Sequence, residues 1–125
     1  MLTINSYIDK SNISGKGLFT GDIILKGQVI WKYSSDKDLI VLQDIIPEDL
    51  RDYFDKYSTV IVYDDSYYYE LDGDNTRYMN HSENPNIMFI ENIGLATRDI
   101  GLHEELTCDY RTITVPTHFQ YLMSI

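Results

Sequence analysis

Cysteine occurs once in the 125 residues, at Cys108. No disulfide framework can form within the chain, and a zinc site built on cysteines lacks ligands. His81 and His103 have no H-x-x-x-H or C-x-x-C partner spacing, so no metal site is expected. Proline occurs three times and glycine seven, scattered along the chain. No linker, repeat or low-complexity stretch divides it, and a single domain over residues 1–125 is the simplest organisation. No apolar run is long enough to span a bilayer, so no membrane partner is expected. The opening Met1-Leu2-Thr3-Ile4-Asn5-Ser6 lacks a basic stretch followed by an apolar one. A reduced, soluble compartment is the default expectation, the cytoplasm first, and the sequons at Asn12 and Asn80 are discounted accordingly. Cationic residues are scarce: 10 Lys and Arg stand against 20 Asp and Glu, a formal net charge of −10. Such a field disfavours direct nucleic-acid binding and attracts basic protein segments, besides keeping the chain soluble.

Hydrophobic residues make up 43%, enough for a real core, and tyrosine is frequent, with 11 copies. Tyrosine packs its ring and keeps a polar tip, which suits strand faces and aromatic-lined pockets. Short β-rich runs dominate. Strands are expected at Leu2 to Ile8, Leu18 to Thr20, Val29 to Tyr33 and Leu106 to Cys108. Hairpins are expected from Val60–Tyr63 with Tyr67–Leu71, across Asp64-Asp65-Ser66, and from Ile87–Ile90 with Gly94–Thr97. Leu39 to Leu42 is an apolar run of either type. The one clear helix starts at Pro47, followed by Glu48 and Asp49 at its positive end. Leu50, Tyr53, Phe54 and Tyr57 then share one face, which reads as a core-facing structural helix. The fold class is mainly β with one short helix.

Two segments concentrate chemistry. Arg77-Tyr78-Met79-Asn80-His81-Ser82-Glu83-Asn84-Pro85-Asn86 packs amide, imidazole and hydroxyl groups into a turn. Glu104-Glu105-Leu106-Thr107-Cys108-Asp109-Tyr110 places acids before a short strand and a tyrosine after it. On residue chemistry alone, His81 is a general base, a ligand or a hydrogen-bonded turn histidine. Asp109 caps a turn or orients another group. Tyr110 is a buried ring with its hydroxyl satisfied. Gly15-Lys16-Gly17 is a tight turn without the third glycine of a dinucleotide fingerprint or the ending of a phosphate loop.

In this order, these pieces resemble the SET family of lysine methyltransferases. The family's G-x-G loop is matched by Gly15-Lys16-Gly17-Leu18-Phe19, and its I-x-x-G-x-x-V by Ile24 to Ile30. Its R-F-I-N-H-S-C-x-P-N motif is matched by Arg77 to Asn86, and its closing G-E-E-L-T-x-D-Y by Glu104 to Tyr110. The likeness covers about residues 14–110, leaving 111–125 as a tail. It is similar to bare, stand-alone bacterial or viral members, which adds a host cell or nucleus to the locations considered.

The resemblance implies several small twisted sheets with a C-terminal pseudoknot. It implies methyl transfer from S-adenosylmethionine to a deprotonated lysine of a basic protein such as a histone. Tyr110 is the implied catalytic residue at the transfer pore. Gly15, Lys16, Gly17, Arg77, Asn80 and His81 are the implied cofactor-binding residues. Tyr33, Cys108 and Tyr110 are the implied lysine-channel residues. Cys108 stands where relatives carry a larger aromatic, which implies product beyond monomethyl-lysine. Small relatives sometimes pair, so a homodimer is an allowed assembly. The runner-up is a SET fold that binds peptide or cofactor without turnover. A hydrolase on His81 and Asp109 ranks lower, having no matching nucleophile elbow. Glu83 stands at a usual cysteine, Asp74 at a frequent asparagine, and His103 at a usual glycine, so the last turn is expected to differ. No cysteine cluster follows Tyr110, and Phe119 and Tyr121 are candidates to fold over the channel instead.

Overall fold

A computed structural model describes residues 1–34 and 38–112. The expected roles of Phe119 and Tyr121 fall outside the described residues. Three small sheets carry the described residues. The first contains β1 (Ser6–Lys10), β2 (Lys16–Thr20), β7 (Asn80–His81) and β10 (Glu105–Cys108), in the order β1-β2-β10-β7. The second contains β3 (Val29–Lys32), β8 (Ile87–Ile90) and β9 (Ile93–Ala96), in the order β3-β9-β8. The third contains β4 (Leu39–Leu42), β5 (Thr59–Tyr63) and β6 (Ser66–Leu71), in the order β4-β6-β5. The single α-helix among the described residues, α1, runs Glu48–Tyr57. The mainly β expectation with one short helix holds.

The closing strand positions the site. β10 pairs antiparallel with β2 (Leu106 opposite Leu18) and parallel with β7 (Thr107 opposite Asn80, Cys108 opposite His81). This closing strand is thus drawn between two earlier segments, where the implied pseudoknot needs it. Asn86 reinforces the seam. It is buried, its Nδ2 donates to Glu105 O at 2.9 Å, and its Oδ1 accepts from Thr107 N at 2.8 Å. One side-chain amide thereby does for β10 what a neighbouring strand would do. The main core lies beneath: Leu18, Ile24, Ile30, Trp31, Met79, Ile87, Ala96, Ile100, Leu106 and Cys108. A smaller cluster under the third sheet joins Ile61 and Tyr68 with Ile40, Leu42 and Tyr63.

Some expectations shift. The strand expected at Leu2 to Ile8 forms only from Ser6, and Leu2 makes a lone bridge to Trp31. Asn5 is diverted: its N–H donates to Asp22 Oδ2 at 2.8 Å and its carbonyl accepts from Gly21 at 2.8 Å. Leu39–Leu42 is a strand. Pro47 precedes the helix as its N-cap rather than opening it. The helix face is also less buried than its periodicity predicts. Phe54 is buried against Tyr69, with ring centroids 5.4 Å apart, but Leu50 is 47% and Tyr53 42% exposed. The helix rests on a three-stranded sheet through one aromatic, which leaves the rest of its apolar stripe at the rim. In the hairpin turn, Asp64 and Asp65 both take positive φ (50° and 61°), and Ser66 already belongs to β6.

The turn before β10 keeps a left-handed residue. His103 has φ 69°, the region a glycine favours. Its Nδ1 lies 2.9 Å from the Tyr7 hydroxyl, and its N–H donates to Thr20 O at 3.0 Å.

Candidate active site

The Asn80 side chain ties the early loop to the closing strand. Its Nδ2 lies within hydrogen-bond distance of Ser11 Oγ, Ser14 O and Lys16 O, each at 3.1 Å, and of Glu105 Oε2 at 3.0 Å. Ser11 Oγ in turn donates to Glu105 at 2.8 Å and accepts from Ile13 N at 2.9 Å. Gly17 lies against this knot: a Cβ there would sit 2.5 Å from Glu105 Oε2 and 3.1 Å from Ser11 Cβ. Its smallness therefore serves packing on Glu105, whereas Gly15, at φ 48° with open space around it, shapes the loop itself. The sequence gives Ser11 no role beyond a turn-rich loop and assigns Glu105 no place in the site. The only signal was that Glu105 is the second acid of the closing motif.

The closing tyrosine folds back over β7. Tyr110 donates its hydroxyl to Met79 O at 2.6 Å, and its backbone N–H donates to His81 Nδ1 at 3.1 Å. Its ring lies 5.3 Å from the imidazole. The Tyr110 side chain is 53% exposed, yet burial around the hydroxyl pushes its pKa up to about 12. The phenol is a fixed donor at neutral pH and no base. His81 Nδ1, accepting a backbone N–H, carries its proton on Nε2. Asp109 lies 3.7 Å from that nitrogen but is held by Arg111, through Nε at 2.9 Å and Nη2 at 2.8 Å. Those bonds lower its pKa to about 2. Asp109 thus does not orient His81 as a hydrolase would need.

Two cavities flank this tyrosine. One, of about 600 Å³, is lined by Gly15, Lys16, Asn80, His81 and Tyr78 among others. The other, of about 380 Å³, is lined by Trp31, Cys108, Phe89, Glu70 and Asp72 among others. Lys56, Tyr57, Arg77, Met79 and Tyr110 line both. Of the residues expected to hold a cofactor, Gly15, Lys16, Asn80 and His81 line only the larger cavity, Arg77 lines both, and Gly17 lines neither. Cys108 lies on the other side, buried, with its thiol pushed up to about 12 by burial, Asp72 and Asp109. Tyr33 lines neither cavity. It packs on the main core, and its N–H donates to Asn92 O at 2.9 Å. Arg77 donates to Asp74 O at 3.1 Å and stacks 5.1 Å over the Tyr78 ring. Lys56 and Tyr57, on the helix read as purely structural, form part of the wall between the cavities.

Comparison with known proteins agrees with this geometry. The SET domain family model matches residues 15–111. A Plasmodium falciparum (isolate 3D7) protein, named by inference as histone-lysine N-methyltransferase 1, is 29% identical over 124 residues, taking in 84% of this chain. The chain spans 2% of the length of that relative. Among solved structures, a Plasmodium falciparum protein described, again by inference, as a histone methyltransferase has a TM-score of 0.61 at 22% identity, covering 87% of this chain and 95% of that one. A chain of the Chaetomium thermophilum polycomb repressive complex 2 has a TM-score of 0.62 at 25% identity, covering 86% of this chain and 15% of that one. The motif pair, the small sheets meeting at β10 and the family match over residues 15–111 lead to one conclusion: this chain belongs to the SET domain family.

Proposed function

We propose that the chain is an S-adenosylmethionine-dependent protein-lysine N-methyltransferase acting on a basic protein such as a histone. One observation carries the reading: two cavities, one bearing the Asn80–His81 turn and one bearing Cys108, share a wall that contains Tyr110. Methyl transfer from one molecule to another is a matter of positioning, and two pockets meeting at one phenol suit it.

The residues of the larger cavity fit the cofactor by their chemistry. Lys16 offers a cation for its carboxylate. The Asn80 carbonyl oxygen has no partner among the described residues, since the bonds above use the amide nitrogen, and it can accept from the cofactor's ammonium. Gly15 leaves its backbone accessible. When bound, the cofactor supplies an electrophilic methyl group on a sulfonium. The chain's residues do the rest. Tyr110 holds its proton and its position through Met79. Trp31, Tyr57 and Phe89 give the smaller cavity aromatic walls that exclude water and favour a cationic guest. Cys108 leaves room where a larger ring would crowd the amine.

Mass spectra of core histones incubated with the protein and S-adenosylmethionine test the reading. The expected products are lysines bearing one methyl and, because Cys108 is small, further methyls. Unmodified histones count against the function. Strictly monomethyl product at long times counts against the role given to Cys108.

A further inference from the structure

Four buried side-chain atoms among the described residues lack a hydrogen-bond partner: Trp31 Nε1, Ser58 Oγ, Asp72 Oδ1 and Arg77 Nε. All four residues line the 380 Å³ cavity. An unmet buried polar group costs roughly 1–3 kcal/mol, so four of them around one cavity mark a place shaped for a polar guest. Trp31 is only 3% exposed. Glu70 lines the same cavity at 7% exposure, and no hydrogen bond among the described residues reaches its carboxyl. Glu70, in β6, and Asp72, just past the end of that strand, both line this cavity. No group of His, Cys, Asp and Glu among the described residues is placed to hold a metal ion. A cationic amine meets the geometry: its N–H groups suit carboxylates and its charge suits the rings.

We infer that Glu70 is the proton acceptor for the substrate amine. This rests on the methyltransferase reading and adds to it the step that frees the nucleophile. An N–H bond of the lysine ammonium breaks, its electron pair stays on nitrogen, and the proton passes to a Glu70 carboxylate oxygen. The neutral amine then has its pair available, and Glu70 returns the proton to water. The other groups at the cavity are poorly suited. Tyr110 and Cys108 keep their protons to about 12. Burial, then Glu70, Asp38 and Asp74, raise Asp72 well above its ordinary value, which favours its protonated form. Asp55 is taken by the Tyr69 hydroxyl. Glu70 itself is raised to about 7, by burial first and then by Asp38, while the Met1 amino group acts the other way. Tyr33 lies within its field, and Lys56, Arg77 and Glu91 are the remaining charged groups lining the cavity. An acceptor poised near neutrality is where general-base catalysis works best.

The test is the pH dependence of kcat/KM for methyl transfer to core histones, wild type beside Glu70→Gln. Wild type should rise through about pH 7 to a plateau. The variant should lose that limb, fall on the order of 10²-fold at neutral pH, and recover as pH approaches lysine's own ~10.4. A variant profile that superimposes on wild type overturns the inference and leaves the methyltransferase reading standing. Wild type that methylates nothing removes both. A second readout needs no turnover: carbon-13 NMR titration of glutamate carboxyls in wild type, with Glu70→Asp for assignment. One carboxyl titrating near 7 supports the role, and all of them titrating in the ordinary range overturn it.

Discussion

The hydroxyl of Tyr110 donates to the carbonyl of Met79 at 2.6 Å, joining the closing motif to the residue just before Asn80. This bond holds the phenol in the wall between the two cavities. Tyr110→Phe removes the donor and keeps the ring. Methyl transfer should fall on the order of 10²-fold through lost positioning. Cofactor affinity measured by calorimetry should change by less than about threefold, which would mark the loss as one of kcat.

Asn80→Ala removes the amide that joins the early loop to Glu105. Thermal unfolding should show a loss of roughly 1–3 kcal/mol, since Ser11 and Glu105 are left partly unmet. Calorimetry should show weaker cofactor binding, because the same change removes the free carbonyl oxygen.

Gly17→Ala and Gly15→Ala separate two uses of glycine. At Gly17 the new Cβ would meet Glu105 Oε2 at 2.5 Å, and Glu105 can withdraw only by giving up Ser11 and Asn80. A loss of about 1–3 kcal/mol is expected in denaturant unfolding. At Gly15 no atom lies within 4 Å, so only the strain of φ 48° remains, about 1 kcal/mol.

Glu70 makes stability fall with rising pH. The folded state holds its proton to about 7, the unfolded chain only to about 4.5. Between those values the folded state binds more protons at this group, so its contribution is greatest below 4.5 and declines until about 7. A displacement of that size corresponds to at most roughly 3 kcal/mol. Glu70→Gln should flatten this part of the pH–stability curve and raise stability at pH 8, read by denaturant titration.

Much of this was legible in the residues. The two motifs carried the family likeness. Turn chemistry at Asp64-Asp65 and alternating β-formers gave the hairpins. What escaped has physical reasons. β7 is two residues long and exists only through its parallel pairing with β10, so no periodicity announces it. The stripe Leu50, Tyr53, Phe54 and Tyr57 has the helical period, but the small third sheet covers only Phe54. The cavity-lining role of Lys56 and Tyr57 depends on α1 meeting the Tyr78 ring through Tyr57, which local sequence does not encode. Glu70 reads as one polar residue in a strand. The clue to its burial was that it shares a face with Tyr68 and precedes Asp72 by two.

The central claim is that a methyl group passes between the two cavities at Tyr110. Tritium transfer from methyl-labelled S-adenosylmethionine to core histones tests it most directly, with wild type, Asn80→Ala and Tyr110→Phe side by side. The account predicts label on histone lysines with wild type, weakened by Asn80→Ala in a way that excess cofactor restores, and nearly abolished by Tyr110→Phe at any cofactor concentration. A folded wild-type protein that neither binds the cofactor nor transfers label would contradict it.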